Sequence, residues 1–155
     1  MIRAEYRFQL PVPPERAFEV LSDPARDPDW QAACVSTRLL DGPPGVGCRY
    51  EITFQMLGRR MNFTARITDF EPGRHSAFAV VEGPFRYVGN YYYTARDDGT
   101  TEVHWTFEVD PGEFFGILPK SLMKKVLINQ VKKDSSTLAG QLAQAAPPAP
   151  GGERQ

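Results

Sequence analysis

The chain has 155 residues, 41% of them hydrophobic and 12% aromatic, with a formal net charge of −1 at pH 7. This length suits one domain with a substantial core, and the near-zero charge provides no overall field that would attract nucleic acid or anionic lipid. The sequence has neither an apolar run long enough for a membrane span nor a signal peptide at its start, so we expect a cytoplasmic protein without stable membrane insertion.

The N-terminal part predicts a strand followed by two short helices. Apolar and polar residues alternate along residues 2–10, which is typical of a half-buried β-strand. Pro14 is suited to begin a short helix, and Asp23-Pro24 is suited to end it. A second short helix or turn ends at Trp30.

Six further strands are predicted from Cys34 onward, separated by turns rich in Gly and Pro. A two-residue turn at Gly58-Arg59 would align strands three and four with apolar residues facing one another. The predicted pairs are Met56–Met61, Phe54–Phe63, Ile52–Ala65 and Tyr50–Ile67. A type II turn at Pro72-Gly73 and a three-residue loop ending at Gly99 extend the register. The further predicted pairs are Ile67–Phe78, Phe78–Gly89, Tyr91–Trp105 and Tyr93–Val103.

A long helix is predicted over residues 119–144, because Met123, Leu127, Val131, Leu138 and Leu142 recur at helical spacing. The stripe is interrupted at residues 134–136. This gap is consistent with a polar turn near solvent, or with a helix that does not fill the space beneath it. The last residues, 146–155, are rich in Pro, Gly and Ala and predict a disordered tail after a domain spanning residues 1–145.

Three stretches of the chain have the pattern of a known family. They are Pro13-Pro14-Glu15 with Phe18, Leu21, Asp23 and Trp30, the loop GPPGVGCRY, and the segment DDGTTEVHWTFEV. Together they resemble the START-like, or SRPBCC, superfamily, and its polyketide cyclase/dehydrase branch in particular. The resemblance covers residues 1 to about 145 and implies the α+β helix-grip fold, in which a curved seven-stranded antiparallel sheet wraps around a long C-terminal helix. It also implies a cavity for a small hydrophobic molecule between sheet and helix.

The resemblance and the strand register together predict the residues that would contact this ligand. They lie on the inward face of the sheet and on the long helix: Tyr50, Phe54, Phe63, Phe78, Tyr87, Tyr91, Tyr93, Trp105, Met123 and Leu127. The alternative is that these residues fill an ordinary core. The small residues Ala65, Gly89 and Ser135 favour a cavity.

Few residues suit acid–base chemistry. The register places His75 opposite Phe70 and His104 opposite Tyr92, both on the outer face, and no cluster of metal ligands is evident. Tyr91 and Asp134 are the candidate catalytic residues, with a solvated helix position as the alternative for Asp134. No cofactor and no disulfide between Cys34 and Cys48 are expected.

Three functions remain open at this point. The first is binding of an aromatic or polyketide-like molecule, with cyclase, aromatase or dehydratase activity as an extension. The second is a non-catalytic carrier for a quinone or lipid, and the third is a protein-interaction or resistance member of the same superfamily. Residues 112–118, with Phe114, Phe115 and two glycines, would form either a lid over the cavity or an exposed apolar patch. The protein would act as a monomer or homodimer, and the run Tyr91-Tyr92-Tyr93 lacks the basic groove needed to bind nucleic acid.

Overall fold

The structure is a computed structural model that describes residues 1–116 and 118–145. Its strands are β1 (Ile2–Leu10), β2 (Cys34–Leu39), β3 (Arg49–Met56), β4 (Arg59–Glu71), β5 (His75–Glu82), β6 (Arg86–Ala95) and β7 (Thr101–Asp110). Its helices are α1 (Pro14–Leu21), a short 3₁₀ helix (Pro24–Arg26), α2 (Asp27–Trp30) and α3 (Lys120–Ala145). The tail predicted over residues 146–155 lies outside the described residues.

All seven strands form one antiparallel sheet in the order β1-β7-β6-β5-β4-β3-β2. The sheet is curved, and α3 packs against it along β1. The two short helices α1 and α2 lie between the first two strands in sequence, which are the two edges of the sheet. The α+β helix-grip fold predicted from the sequence is therefore confirmed.

The hairpin between β3 and β4 differs from the prediction by two residues. Its turn is Leu57-Gly58, with φ of 52° and 75°, so both residues are left-handed as in a type I′ turn. This turn pairs Ile52 with Phe63 and Phe54 with Met61. The predicted pairs were wrong because the prediction put Gly58 at the first turn position. In the structure Leu57 occupies that position, with a positive φ that is unusual for leucine. A shift of two residues preserves the side-chain faces, so the inward set is unchanged.

The hairpins after β4 follow the prediction, except that the register between β4 and β5 shifts at two places, between Thr64 and Ala65 and between Ile67 and Asp69. The structure aligns Ile67 with Phe78, and both Tyr91–Trp105 and Tyr93–Val103 are paired across β6 and β7. In β4, however, Thr68 has no partner, because the register shifts between Ile67 and Asp69.

The bulge moves His75 from its predicted partner. His75 pairs with Glu71 rather than with Phe70, because the extra residue advances the rest of β4 by one position. His104 lies opposite Tyr92, as predicted.

Helix α3 has a buried stripe that includes two polar residues. Met123, Leu138 and Leu142 are buried, and so are Asp134 and Ser135 in the interrupted part of the stripe. The interpretation of this gap as a polar turn near solvent was therefore wrong.

Candidate functional site

A cavity of about 150 Å³ lies between the sheet, α2 and the first half of α3. Its walls are mostly apolar and aromatic, and among the described residues that border it there is no Lys, Arg or His. An apolar cavity of about this size is large enough to hold benzene. The space therefore suits a compound of about one ring in the conformation seen here.

Nine of the ten residues predicted to contact a ligand border this cavity: Tyr50, Phe54, Phe63, Phe78, Tyr87, Tyr91, Trp105, Met123 and Leu127. Tyr93 does not border it. The Tyr93 ring packs edge-on against Phe18 at 5.5 Å, and its hydroxyl group lies 2.8 Å from Ser76 Oγ. Tyr93 therefore belongs to the packing beneath α1, although it shares a face of β6 with Tyr91.

Aromatic rings form one wall of the cavity. Tyr87 lies 5.1 Å from Phe63 and 5.2 Å from Phe107 between ring centroids, and Trp105 stacks on Phe107 at 5.5 Å. Such ring pairs hold one another in place. The wall therefore presents fixed ring faces to a bound molecule.

The small residues that favoured a cavity do not in fact border it. Gly89 is adjacent to the ring of Phe78, and a Cβ atom at position 89 would lie 2.3 Å from Phe78 Cζ. Gly89 therefore provides the space that the Phe78 ring occupies. Ala65 and Ser135 are buried but lie outside the cavity wall.

The cavity has a polar end, and its main residue was missed in the sequence. Asp27 is 8% exposed and borders the cavity. Burial raises the pKa of its carboxyl group well above the usual range, and the nearby charges of Asp23 and Asp29 raise it further. Asp27 and Trp30 are three residues apart and so share a face of α2, but a helix of four residues is too short for this spacing to stand out in the sequence.

Three tyrosine hydroxyl groups belong to the same environment. Tyr50, Tyr87 and Tyr91 are buried and border the cavity, and their hydroxyl groups make no hydrogen bond within the described part of the chain. Burial raises the pKa of each, and the charge of Asp27 contributes to all three shifts. These hydroxyl groups are thus neutral donors and acceptors at physiological pH.

Asp134 connects α3 to the segment after α2. Its Oδ1 accepts hydrogen bonds from the Ala32 backbone N–H at 3.1 Å and from Gln130 Nε2 at 3.2 Å. Burial raises the pKa of Asp134, and these two donors oppose the rise. Asp134 is 6% exposed, so the solvated-position alternative was wrong.

The candidate acid–base couple is not formed in this conformation. Tyr91 and Asp134 both border the cavity, but no hydrogen bond joins them among the described residues. The carboxyl group of Asp134 is instead engaged with Ala32 and Gln130.

Trp30 adds an unsatisfied donor near the polar end. Its Nε1 is fully enclosed and has no hydrogen-bond partner within the described residues. A buried donor without a partner costs about 1–3 kcal/mol. The buried polar groups around α2 are therefore less completely hydrogen-bonded than those in the rest of the described interior.

The outer face carries the histidines and one group of potential metal ligands. His75 Nε2 lies 2.8 Å from Asn90 Oδ1, and His104 Nε2 lies 2.7 Å from Glu5 Oε1. Within the residues that the structure describes, potential ligand atoms of Asp69, Glu71 and His75 lie within 4.8 Å of one another. This cluster was not evident in the sequence, because the bulge at Thr68 that brings the three side chains to one face was not predicted.

Residues 111–116 lie next to the cavity. Phe115 borders it, and Phe85 packs against both Phe114 and Phe115 at 5.4 and 5.7 Å. Arg59 donates to the Phe114 carbonyl oxygen at 2.9 Å, and its guanidinium group lies 4.2 Å from the centre of the Phe114 ring. This segment is therefore tied to the β3–β4 hairpin. Ile117, which belongs to the proposed lid, lies outside the described residues.

Cys34 and Cys48 are both buried free thiols. Burial raises the pKa of Cys34 to about 12, so its reactive thiolate form is disfavoured. No helix in the described part of the chain is long and apolar enough to cross a membrane.

Comparison with known proteins places this architecture in a family. Residues 1–147 match the family model described as polyketide cyclase / dehydrase and lipid transport. No curated protein sequence matches the chain.

Solved structures show the same fold at low sequence identity. A protein from Thermus thermophilus aligns with a TM-score of 0.79 and 20% identity over 94% of this chain and 99% of that one. A START superfamily protein from Mycobacterium smegmatis aligns with a TM-score of 0.77 and 14% identity over 93% of this chain and 99% of that one. The ginseng major latex-like protein 151 from Panax ginseng aligns with a TM-score of 0.68 and 15% identity over 95% of this chain and 100% of that one.

Proposed function

Because this chain belongs to the polyketide cyclase / dehydrase and lipid transport family, we propose that it binds a small hydrophobic molecule in the cavity under the first half of α3. The observation that supports this best is the cavity itself, which is walled by aromatic rings and has a few polar groups at one end. Ligand sites of proteins typically combine these two features.

Under this proposal the ten residues predicted from the sequence fall into two groups, those that contact the ligand and one that does not. The nine that border the cavity would contact the ligand directly. Tyr93 would act only through packing, because its hydroxyl group is engaged with Ser76. Phe107 and Phe115 join the contact set, since both border the cavity.

The volume limits the size of the ligand. About 150 Å³ holds roughly one ring, whereas sites for drug-sized ligands measure about 300–1,000 Å³. A multi-ring polyketide or a long lipid would require the cavity to expand. Movement of residues 111–116 away from Phe85 would open it at one end.

The experiment has two parts. Native mass spectrometry of the purified protein identifies any retained small molecule, and ligand-observed NMR measures the binding of ethylbenzene as a one-ring probe. Leu127→Trp places an indole at the cavity wall and should abolish binding. Leu122→Trp makes the same change at an exposed position of α3 and should leave binding unchanged. Equal binding by both variants would place the ligand elsewhere.

Cofactor-free cyclisation or dehydration is the second candidate function. The family description supports it, and so does the presence of buried carboxyl and tyrosine groups that can donate to a carbonyl oxygen. The test is incubation with a short β-polyketone and detection of water loss by mass spectrometry, in the wild type and in Asp134→Asn and Tyr91→Phe. Binding without any turnover in the wild type would leave the carrier function.

A further inference from the structure

Asp27 is unlike the other carboxyl group that borders the cavity. Asp134 accepts hydrogen bonds from Ala32 and Gln130. The carboxyl group of Asp27 has neither a hydrogen-bond donor nor an ion-pair partner among the residues the structure describes, although Asp27 is only 8% exposed. Its oxygen atoms are not among the fully enclosed unpartnered atoms, so they keep some accessible surface, and Asp27 is one of the residues that border the cavity.

The ionisable groups whose pKa values are coupled to the charge of Asp27 are all acids, and the adjacent Arg26 is ion-paired with Asp23. On the segment of Asp27 these acids are Asp23 and Asp29, and from the sheet they are Cys34, Tyr50, Tyr87, Tyr91 and Tyr93. Asp134 borders the same cavity from α3. No described cation lies in the cavity wall to stabilise a carboxylate. Burial and these neighbours raise the pKa of Asp27, which favours the neutral carboxylic acid, whose O–H can be donated.

We propose that the cavity selects a neutral one-ring compound carrying a carbonyl oxygen, and that Asp27 recognises this oxygen by donating its carboxylic O–H to it. The inference rests on the proposed binding function and specifies the chemistry of that same site. The ring would lie against the faces of Tyr87 and Phe107, and the tyrosine hydroxyl groups would supply further donors. A ligand carbonyl would thereby use a buried donor that the chain itself leaves unpaired.

Charged ligands fit this site less well. A carboxylate would meet two carboxyl groups and no Lys, Arg or His among the described residues of the cavity wall. An ammonium group would have to lose its water and would require Asp27 to ionise in an apolar surrounding, and the cost of burying two ions can exceed their attraction. Neutral carbonyl compounds avoid both costs.

The test compares four one-ring probes by ligand-observed NMR: ethylbenzene, acetophenone, benzylamine and benzoate. Acetophenone should bind tightest, and benzoate should not bind. Asp27→Ala should lower the affinity for acetophenone roughly three- to tenfold, which is the effect of losing one neutral hydrogen bond. Asp27→Asn keeps an N–H donor and should retain most of the affinity. Ethylbenzene, which has no hydrogen-bond acceptor, should still bind to all three proteins, which shows that the variants keep the cavity.

The pH dependence provides a second readout. As pH rises through the raised pKa of Asp27, the wild type loses the O–H and should lose affinity for acetophenone. In Asp27→Asn this loss should be absent, because the amide does not titrate. Binding of ethylbenzene should not change with pH in either protein.

The outcomes separate the two proposals. If none of the four probes binds, the proposed function fails, and this inference fails with it. If ethylbenzene binds but acetophenone shows no advantage, or Asp27→Ala has no effect on it, only the role of Asp27 is overturned. If benzylamine binds tightest and Asp27→Asn abolishes its binding, the site recognises a cation and the inference is wrong.

Discussion

The two halves of α3 cover different interiors. The second half contributes Leu138 and Leu142, which are 1% and 4% exposed and pack with Leu10 and Phe18 in a filled core. The first half contributes Met123, Leu127 and Val131, which border the cavity. Asp134 lies at the boundary, where hydrogen bonds from Ala32 and Gln130 replace apolar packing. One helix therefore stabilises the fold at one end and leaves room for a ligand at the other.

The difference has a physical basis in what each half contacts. The second half lies against β1 and the short helices, whose side chains interlock with it. The first half faces strands whose large rings pack against one another instead. Rings that are held by their neighbours do not collapse into the space beneath the helix, so the space remains.

The largest expected effect tests this comparison directly. Leu138→Ala should lower the free energy of unfolding by about 2–5 kcal/mol, because it removes a fully packed side chain and leaves a void. Leu127→Ala should cost roughly 1–2 kcal/mol, since Leu127 is half-buried beside an existing cavity. Urea denaturation of both variants measures the difference. Equal losses would contradict the division of α3 into a filled and a hollow half.

A glycine pair gives the next largest effect. Gly89→Ala should destabilise by about 1–3 kcal/mol, because the new Cβ would overlap the Phe78 ring at 2.3 Å. It should also weaken ethylbenzene binding, since Phe78 borders the cavity. The control is Gly140→Ala in α3, where nothing lies within 4 Å of the new atom. That change should stabilise by about 0.5–1 kcal/mol. If Gly89→Ala leaves the free energy of unfolding unchanged, the Phe78 ring must be able to move out of the way of the new Cβ atom.

The smallest effect concerns residues 111–116. Arg59→Ala removes the hydrogen bond to the Phe114 carbonyl oxygen and the contact with its ring, worth about 0.5–1 kcal/mol at an exposed site. Limited proteolysis should cut this segment several-fold faster in the variant. Arg60→Ala, an exposed neighbour on the same strand, should behave like the wild type. If ligand binding slows cleavage, the segment acts as a lid; the same rate with and without ligand would argue against that role.

Much of the fold could be predicted from the sequence because each strand alternates clearly and each turn has a recognisable composition. The inward face was correct even where the β3–β4 register was wrong, because an error of two residues does not change which face a side chain occupies. The left-handed Leu57 could not be expected, since a leucine at positive φ is strained and only the tertiary structure shows that it is tolerated.

The candidate site was predicted less completely. Alternation along the strands identified its aromatic wall, because the period of two is strong there. The polar end could not be found in this way, because α2 spans only Asp27–Trp30 and so short a helix has no periodicity of its own. The burial of Asp134 depends on its contact with Ala32, 102 positions earlier in the chain. Only the folded structure brings these two residues together.

The bulge at Thr68 also affects how this chain should be compared with its relatives. Ile67 and Phe70 both belong to the interior packing, although their spacing of three would place them on opposite faces of a regular strand. Deletion of Thr68 would restore regular pairing and still leave both side chains inside. A relative one residue shorter here can therefore have the same interior, and an alignment that forbids gaps within strands would misassign every position between this point and the next turn.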